Sequence, residues 1–345
     1  MVEVSEEEAV VVIESSIREV ETHKRMMVFS GTCHPELSAE IAQHLGIQLS
    51  ETKLSRFSSG EIYVRSMDSV RGTDAFVIQT HGSPINEAIM EQLVMIDALK
   101  RASAKRITAV IPYYGYSRQD KKALAREPIS AKLVADLLTV AGANRVVTVD
   151  LHSGQIQGFF NFPVDHLTAL PLLSEWLRTS VPDPQDLVIC APDAGRVKTA
   201  ERLREYLHAD LAYIYKRRSR HEAHKIEEIV VVGDVAGRPC VLIDDMIDTG
   251  GTVTEGAKAL AAEGASHVYA AATHAVLSGK AVQHLAESPI KEIIVTNTLP
   301  IPEENAQVLG DRLKVVSIAP IIASALLAVF EDESVSEIFK GENQP

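Results

Sequence analysis

The chain has 345 residues, 46% of them hydrophobic and 23% charged, with a formal net charge of −13 at pH 7. That length suits two domains of ordinary size, and no apolar run approaches the roughly 20 residues that cross a bilayer, so no membrane partner is expected. The acidic balance argues against non-specific nucleic-acid binding and makes any local cluster of Arg and Lys stand out.

Residues 1–25 read as an acidic extension, with Glu3, Glu6, Glu7, Glu8 and Glu14 where a signal peptide would be basic. Cys33, Cys190 and Cys240 form no CxxC pair and no disulfide framework, which suits a reducing cytoplasm. From Met26 onward, strand-like runs alternate with helical ones. Met26–Ser30 precedes a helix over 39–45, 75–79 precedes 87–100, and 107–112 precedes 129–140. The second half repeats the rhythm: 187–191 then 197–207; 211–215; 240–243 then 252–263; and 268–273, with late strands at 293–296 and 315–318. This alternation predicts βαβ units around mostly parallel sheets, with material for two cores.

The halves look like copies. Residues 99–109 align with 260–270, each ending a helix, turning through a small residue and starting a strand. The strands before them align too, Phe76-Val77-Ile78-Gln79 with Val241-Leu242-Ile243-Asp244. Pro182-Asp183-Pro184 and the helical run before it mark a junction near residues 165–185.

In the first half, the strand over 107–112 runs into a long polar loop, Tyr113 to Pro128, carrying Arg118, Lys121, Lys122 and Arg126. Loops of this length in compact domains are usually functional, and Arg and Lys together suit a triphosphate. In the second half, an apolar strand is expected to end in Asp244-Asp245, followed by Met246-Ile247-Asp248-Thr249-Gly250-Gly251-Thr252 and a helix. Glycines let the backbone approach a ligand, and N–H groups at a helix start converge on an anion. Carboxylates beside that cradle can grip vicinal hydroxyls or a hydrated cation. An ordinary helix cap needs one Asp; two adjacent acids, Asp248 and the Thr-Gly-Gly-Thr turn exceed it. The run describes a ribose-5-phosphate site and resembles the loop of the phosphoribosyltransferase fold.

The motifs at residues 57–61, 68–72, 117–122, 150–152, 155–160, 216–218 and 244–252, in that order, closely resemble the ribose-phosphate pyrophosphokinases. The resemblance spans about 26–339. It implies an α/β fold of two duplicated phosphoribosyltransferase-like domains, each a mostly parallel sheet flanked by helices. The expected division is 26–168, joined by the C-terminal segment 321–345, and 169–320. It implies an enzyme that moves the β,γ-pyrophosphoryl group of Mg-ATP to the C1 hydroxyl of ribose 5-phosphate, giving phosphoribosyl pyrophosphate and AMP. Asp244, Asp245, Asp248, Thr249, Gly250, Gly251 and Thr252 would hold ribose 5-phosphate. ATP would meet Arg118, Gln119, Lys121 and His152, with Phe57, Ser59 and Glu61 supplied by a neighbouring subunit. Mg²⁺ would be bound by His152 and Asp193, and Lys216 and Arg218 would stabilise the transferring group. Arg71, Gln157, Ser334, Ser336 and Phe339 match a regulatory phosphate or ADP site of a hexamer. The chain departs from the family pattern at Arg196, where a second glycine is common after Asp193-Ala194-Gly195; an arginine there crowds the cradle but can add a phosphate contact. Two alternatives share part of this pattern: a true phosphoribosyltransferase, and a catalytically silent homologue that binds an active enzyme.

Overall fold

Runs of β-branched and other apolar residues set the strands, and the amphipathic stretches between them set the helices that cover the sheets. The computed structural model describes residues 24–218 and 226–339. In chain order come β1 (Met26–Ser30), α1 (Pro35–His44), β2 (Thr52–Arg56), β3 (Ile62–Ser66), β4 (Asp74–Ile78), α2 (Ile85–Arg101), β5 (Arg106–Ile111), α3 (Ser130–Ala141), β6 (Arg145–Val149) and β7 (Val164–Leu167). Then follow α4 (Leu170–Ser180), β8 (Val188–Ala191), α5 (Val197–Leu207), β9 (Asp210–Arg218), β10 (Ile226–Val232), β11 (Pro239–Ile247), α6 (Gly251–Ala262) and β12 (His267–Ala275). The chain closes with α7 (Ala281–Ala286), β13 (Ile290–Thr296), α8 (Glu303–Leu309), β14 (Leu313–Val316) and α9 (Ala319–Glu331). None of the described helices is long and apolar enough to cross a membrane.

The first sheet is parallel, in the order β1-β4-β5-β6-β7. The second runs β10-β9-β8-β11-β12-β13-β14 and is parallel except for β10. The unit β4-α2-β5-β6 therefore has its counterpart in β11-α6-β12-β13, which is the correspondence the aligned residues anticipated. Only the second sheet reverses its strand order, between β8 and β11, and such a switch point is where open α/β sheets bind ligands.

One sequence expectation needs correction. The acidic pair does not end its strand: β11 continues to Ile247, paired with β12 as far as Ile247↔Ala275. Its ladder to β8 stops at Leu242↔Cys190, so beyond that point β11 is flanked on one side only and borders a crevice. The hydrophobic clusters lie on the outer sides of the two sheets and between them. One cluster lies on the α2–α3 side of the first sheet and another on the α6–α7 side of the second. A third, larger cluster runs between the sheets, joining Val28, Phe76 and Val147 to Ile189, Val241 and Ile294 through Leu173 and Leu177 of α4 and Ile322 and Leu326 of α9. The helix at the expected junction, α4, packs between the two sheets. α9 also packs on α1, and Asp332 just beyond it bridges Arg106 at 2.6 Å.

Candidate active site

The acidic run forms a small compartment at the switch point. A cavity of about 200 Å³ is lined by residues 244–253 with Arg118, His152, Asp193 and Arg196. Gly250 has φ +76, which its missing Cβ permits, and α6 begins at the next residue. Thr249 to Thr252 therefore turn at the N-terminus of a 12-residue helix, where unpaired N–H groups and the helix dipole favour an anion. Asp248 is held by Ser278 and by Arg118, whose Nη1 lies 2.6 Å from Asp248 Oδ2. That ion pair ties the polar loop of the first sheet to the acidic loop of the second.

The floor of the compartment is a charged cluster. Arg196 places Nε 2.9 Å from Asp244 Oδ1 and Nη2 3.0 Å from Asp245 Oδ1, while Asp245 Oδ2 lies 2.7 Å from His152 Nδ1. His152 Nδ1 is also 2.8 Å from Arg196 Nη2. That nitrogen cannot donate to Asp245 and accept from Arg196 at once; the carboxylate favours Nδ1–H, which leaves the Nε2 lone pair for another partner. Burial and the adjacent carboxylate push Asp244 up to about 8, with Arg196 opposing them. Burial works against ionisation of Asp245 as well, but the His152 hydrogen bond and the Arg196 charge outweigh it and hold this carboxyl down at about 2.

Next to this compartment lies a larger cavity of about 900 Å³, which shares Arg118, His152, Arg196, Asp244 and Asp245 with it. Its wall adds Lys121 from the polar loop and Lys198 and Arg202 from α5. Lys198 and Arg202 were not singled out from sequence. Their signal was present: an i, i+4 pair of cations in the helix that opens directly after the Asp193 turn. Asp150 and Thr273, which also line the cavity, were likewise missed; Thr273 donates to Asp150 Oδ2 at 2.6 Å across the two sheets.

The remaining expected residues fall in several places. Asp193 caps its turn, accepting from the Gly195 N–H at 2.8 Å. Gln119 bonds Ser130 at the start of α3 and does not line the large cavity. Phe57, Ser59 and Glu61 form the tip of the β2–β3 hairpin, with the Phe57 ring 56% exposed and Ser59 donating to Glu61 at 2.6 Å. They line neither cavity. Lys216 and Arg218 lie two positions apart on β9, opposite Ile229 and Ile226 of β10; their side chains lie outside the described residues. Arg71 is exposed in a turn, and Gln157 bonds Gly154 in a 3-10 turn. Ser334 and Ser336 bond each other at 2.8 Å beside Val335, which is buried in the shared core. The Phe339 side chain and residues 1–23 lie outside the described residues.

The first sheet carries no such cluster at the matching position. Where the second has Asp244, the first has Gln79, whose Nε2 donates to buried Glu91 at 2.7 Å. Glu91 accepts in addition from the N–H and hydroxyl of Thr32. The strand end is thus filled by its own side chains.

Two family models match the chain. One, described as the N-terminal domain of ribose phosphate pyrophosphokinase, matches residues 26–142; the other, the phosphoribosyl synthetase-associated domain, matches 216–340. A ribose-phosphate pyrophosphokinase of Streptomyces avermitilis is 54% identical over 316 residues, 92% of this chain and 96% of the relative. One from Mycobacterium leprae is 52% identical over 93% of this chain and 98% of its own length. The crystal structure of phosphoribosylpyrophosphate synthetase from Mycobacterium smegmatis superposes with a TM-score of 0.83 at 51% identity, covering 89% of this chain and 99% of that one. With two domain models and relatives of this identity over nearly its whole length, the chain belongs to the ribose-phosphate pyrophosphokinase family.

Proposed function

We propose that the small compartment holds ribose 5-phosphate and the large one Mg-ATP, and that the β,γ-pyrophosphoryl group passes to the sugar's C1 hydroxyl at their common wall. The observation that carries this reading is the pair of cavities sharing Arg118, His152, Arg196, Asp244 and Asp245. In it, Asp244 and Asp245 accept hydrogen bonds from the ring hydroxyls, and residues 248–252 hold the 5-phosphate at the N-terminus of α6. Arg118, Lys121, Lys198 and Arg202 balance the triphosphate. Transfer of this kind needs in-line positioning and stabilisation of spreading negative charge more than a protein nucleophile. Lys216 and Arg218, on the hairpin strand β9, take that stabilising role.

The residues present fit a nucleotide-borne Mg²⁺. His152, through Nε2, and Asp193, through the carboxylate oxygen its turn leaves free, would hold it. Mg²⁺ bound through few protein groups takes its other ligands from phosphates and water. When bound, it neutralises phosphate charge and fixes the triphosphate's geometry. The Phe57 ring, exposed at a hairpin tip away from its own cavity, suits donation to the adenine site of a neighbouring subunit, together with Ser59 and Glu61, while Gln119 meets the base from the same chain. In this reading the enzyme is a cytoplasmic hexamer, with Arg71, Gln157, Ser334, Ser336 and Phe339 meeting phosphate or ADP between subunits. Its domains are 26–168 with 321–345, and 169–320, and its product serves nucleotide, histidine and tryptophan synthesis.

Product analysis of the full-length protein with ATP, Mg²⁺ and ribose 5-phosphate tests the reaction. AMP should appear only when the sugar phosphate is present. Release of ADP in its place would remove the pyrophosphoryl assignment.

A further inference from the structure

We propose that Arg196 orients the sugar clamp: its guanidinium sets Asp244 and Asp245 in the geometry that accepts the two ring hydroxyls, and so determines selectivity for ribose over 2-deoxyribose 5-phosphate. The proposal rests on the sugar-phosphate reading of residues 244–252.

Consecutive residues of a strand ordinarily point to opposite faces. Here both carboxylates border the same crevice, and one planar group touches both, with Nε on Asp244 Oδ1 at 2.9 Å and Nη2 on Asp245 Oδ1 at 3.0 Å. A rigid fork on one oxygen of each carboxylate fixes the rotation of both, which a flexible lysine cannot do. The cluster extends to His152, 2.7 Å from the other oxygen of Asp245. The backbone of Arg196 is itself set by the Asp193 turn, where its N–H donates to Asp193 O at 3.2 Å just before α5. Its side chain is 13% exposed and lines both cavities, so it belongs to the wall where acceptor and donor meet. Asp245, held ionised, offers about four acceptor sites, and Asp244 keeps its Oδ2 beyond the oxygen on Arg196. The fork and two hydroxyls can therefore be held together, and Arg196 is a strut beneath the sugar, with no need to leave when the sugar binds.

The test uses Arg196→Gln and Arg196→Lys in the full-length protein. It reads KM for ribose 5-phosphate, kcat, ATP affinity by calorimetry, and the ratio of kcat/KM for ribose 5-phosphate to that for 2-deoxyribose 5-phosphate. Loss of a charge-assisted contact predicts a roughly ten- to hundredfold rise in KM for the sugar phosphate in Arg196→Gln. The selectivity ratio should fall by a similar factor, ATP affinity should stay within about threefold, and Arg196→Lys should recover only part of the selectivity. Tighter sugar binding in Arg196→Gln would overturn the proposal, since Arg196 would then be a plug the sugar displaces. So would weakened ATP binding with unchanged sugar KM, which would make it a phosphate contact alone. If Arg196→Gln does not fold, Arg196→Lys decides, and wild-type selectivity in that variant overturns the proposal. Absence of AMP formation by the wild-type enzyme would instead strike the reading of the reaction.

Discussion

His81 shows how completely a single side chain of the first sheet is committed to structure. It is fully buried, with Nε2 2.9 Å from Gln92 Oε1 and Nδ1 accepting from the Gly115 N–H at 3.0 Å. Both ring nitrogens are used by the neutral tautomer, and burial lowers the pKa from about 6.5 to about 4. Between pH 6.5 and 4 the unfolded chain binds a proton that the folded chain refuses, so stability falls as pH drops through that window. By pH 5 the contribution lost is about 2 kcal/mol. His81→Gln, which cannot titrate, should show a smaller drop in urea midpoint between pH 7 and pH 5 than the wild type; equal drops would assign the acid sensitivity elsewhere, for instance to His274, which burial also lowers.

The β11–α6 connection is the element on which the site depends. Gly250 takes φ +76, and a Cβ there would sit 3.3 Å from Ala281 O. Gly250→Ala should cost about 1–2 kcal/mol of stability from the left-handed backbone and weaken ribose 5-phosphate about tenfold or more by tilting the N–H cradle, while leaving ATP affinity intact. Calorimetric titration with each substrate checks this, and unchanged sugar affinity would show that the turn tolerates a side chain. Elements of this kind were legible in the sequence wherever apolar periodicity was strong. The helix over 197–207 is found with the same bounds, and β1 likewise. The hairpin β2–β3 was not foreseen as strands, because Lys53, Ser55, Arg56 and Arg65 leave it without the apolar alternation that a buried sheet imposes. Four-residue β7, with Asp165 and His166 in it, was lost for the same reason. The acidic pair was legible because its residues are consecutive. Its arginine was visible only as a departure from a glycine pattern, since contacts between residues 196 and 244 leave no trace in local spacing.

At the scale of the whole molecule, α4 decides how the two sheets behave. Leu173 is fully buried in the cluster they share. Leu173→Ala should remove about 2–5 kcal/mol and lower one common unfolding transition followed by circular dichroism. Two separate transitions would mean that the halves fold independently. The site has the same dependence, because Arg118 reaches Asp248 from the other sheet and Thr273 reaches Asp150. The filled strand end at Gln79 and Glu91 leaves the first half without a sugar site of its own. Of two like units, one keeps an open strand end for the sugar phosphate and the other has its strand end closed by Gln79, Glu91 and Thr32. The half so closed is released from sugar chemistry but is still bound by its shared core to the other. Its ancestry is written in the path of the backbone from β4 to β6 and in the residues there that still align with the second half, while the carboxylates of the site are gone.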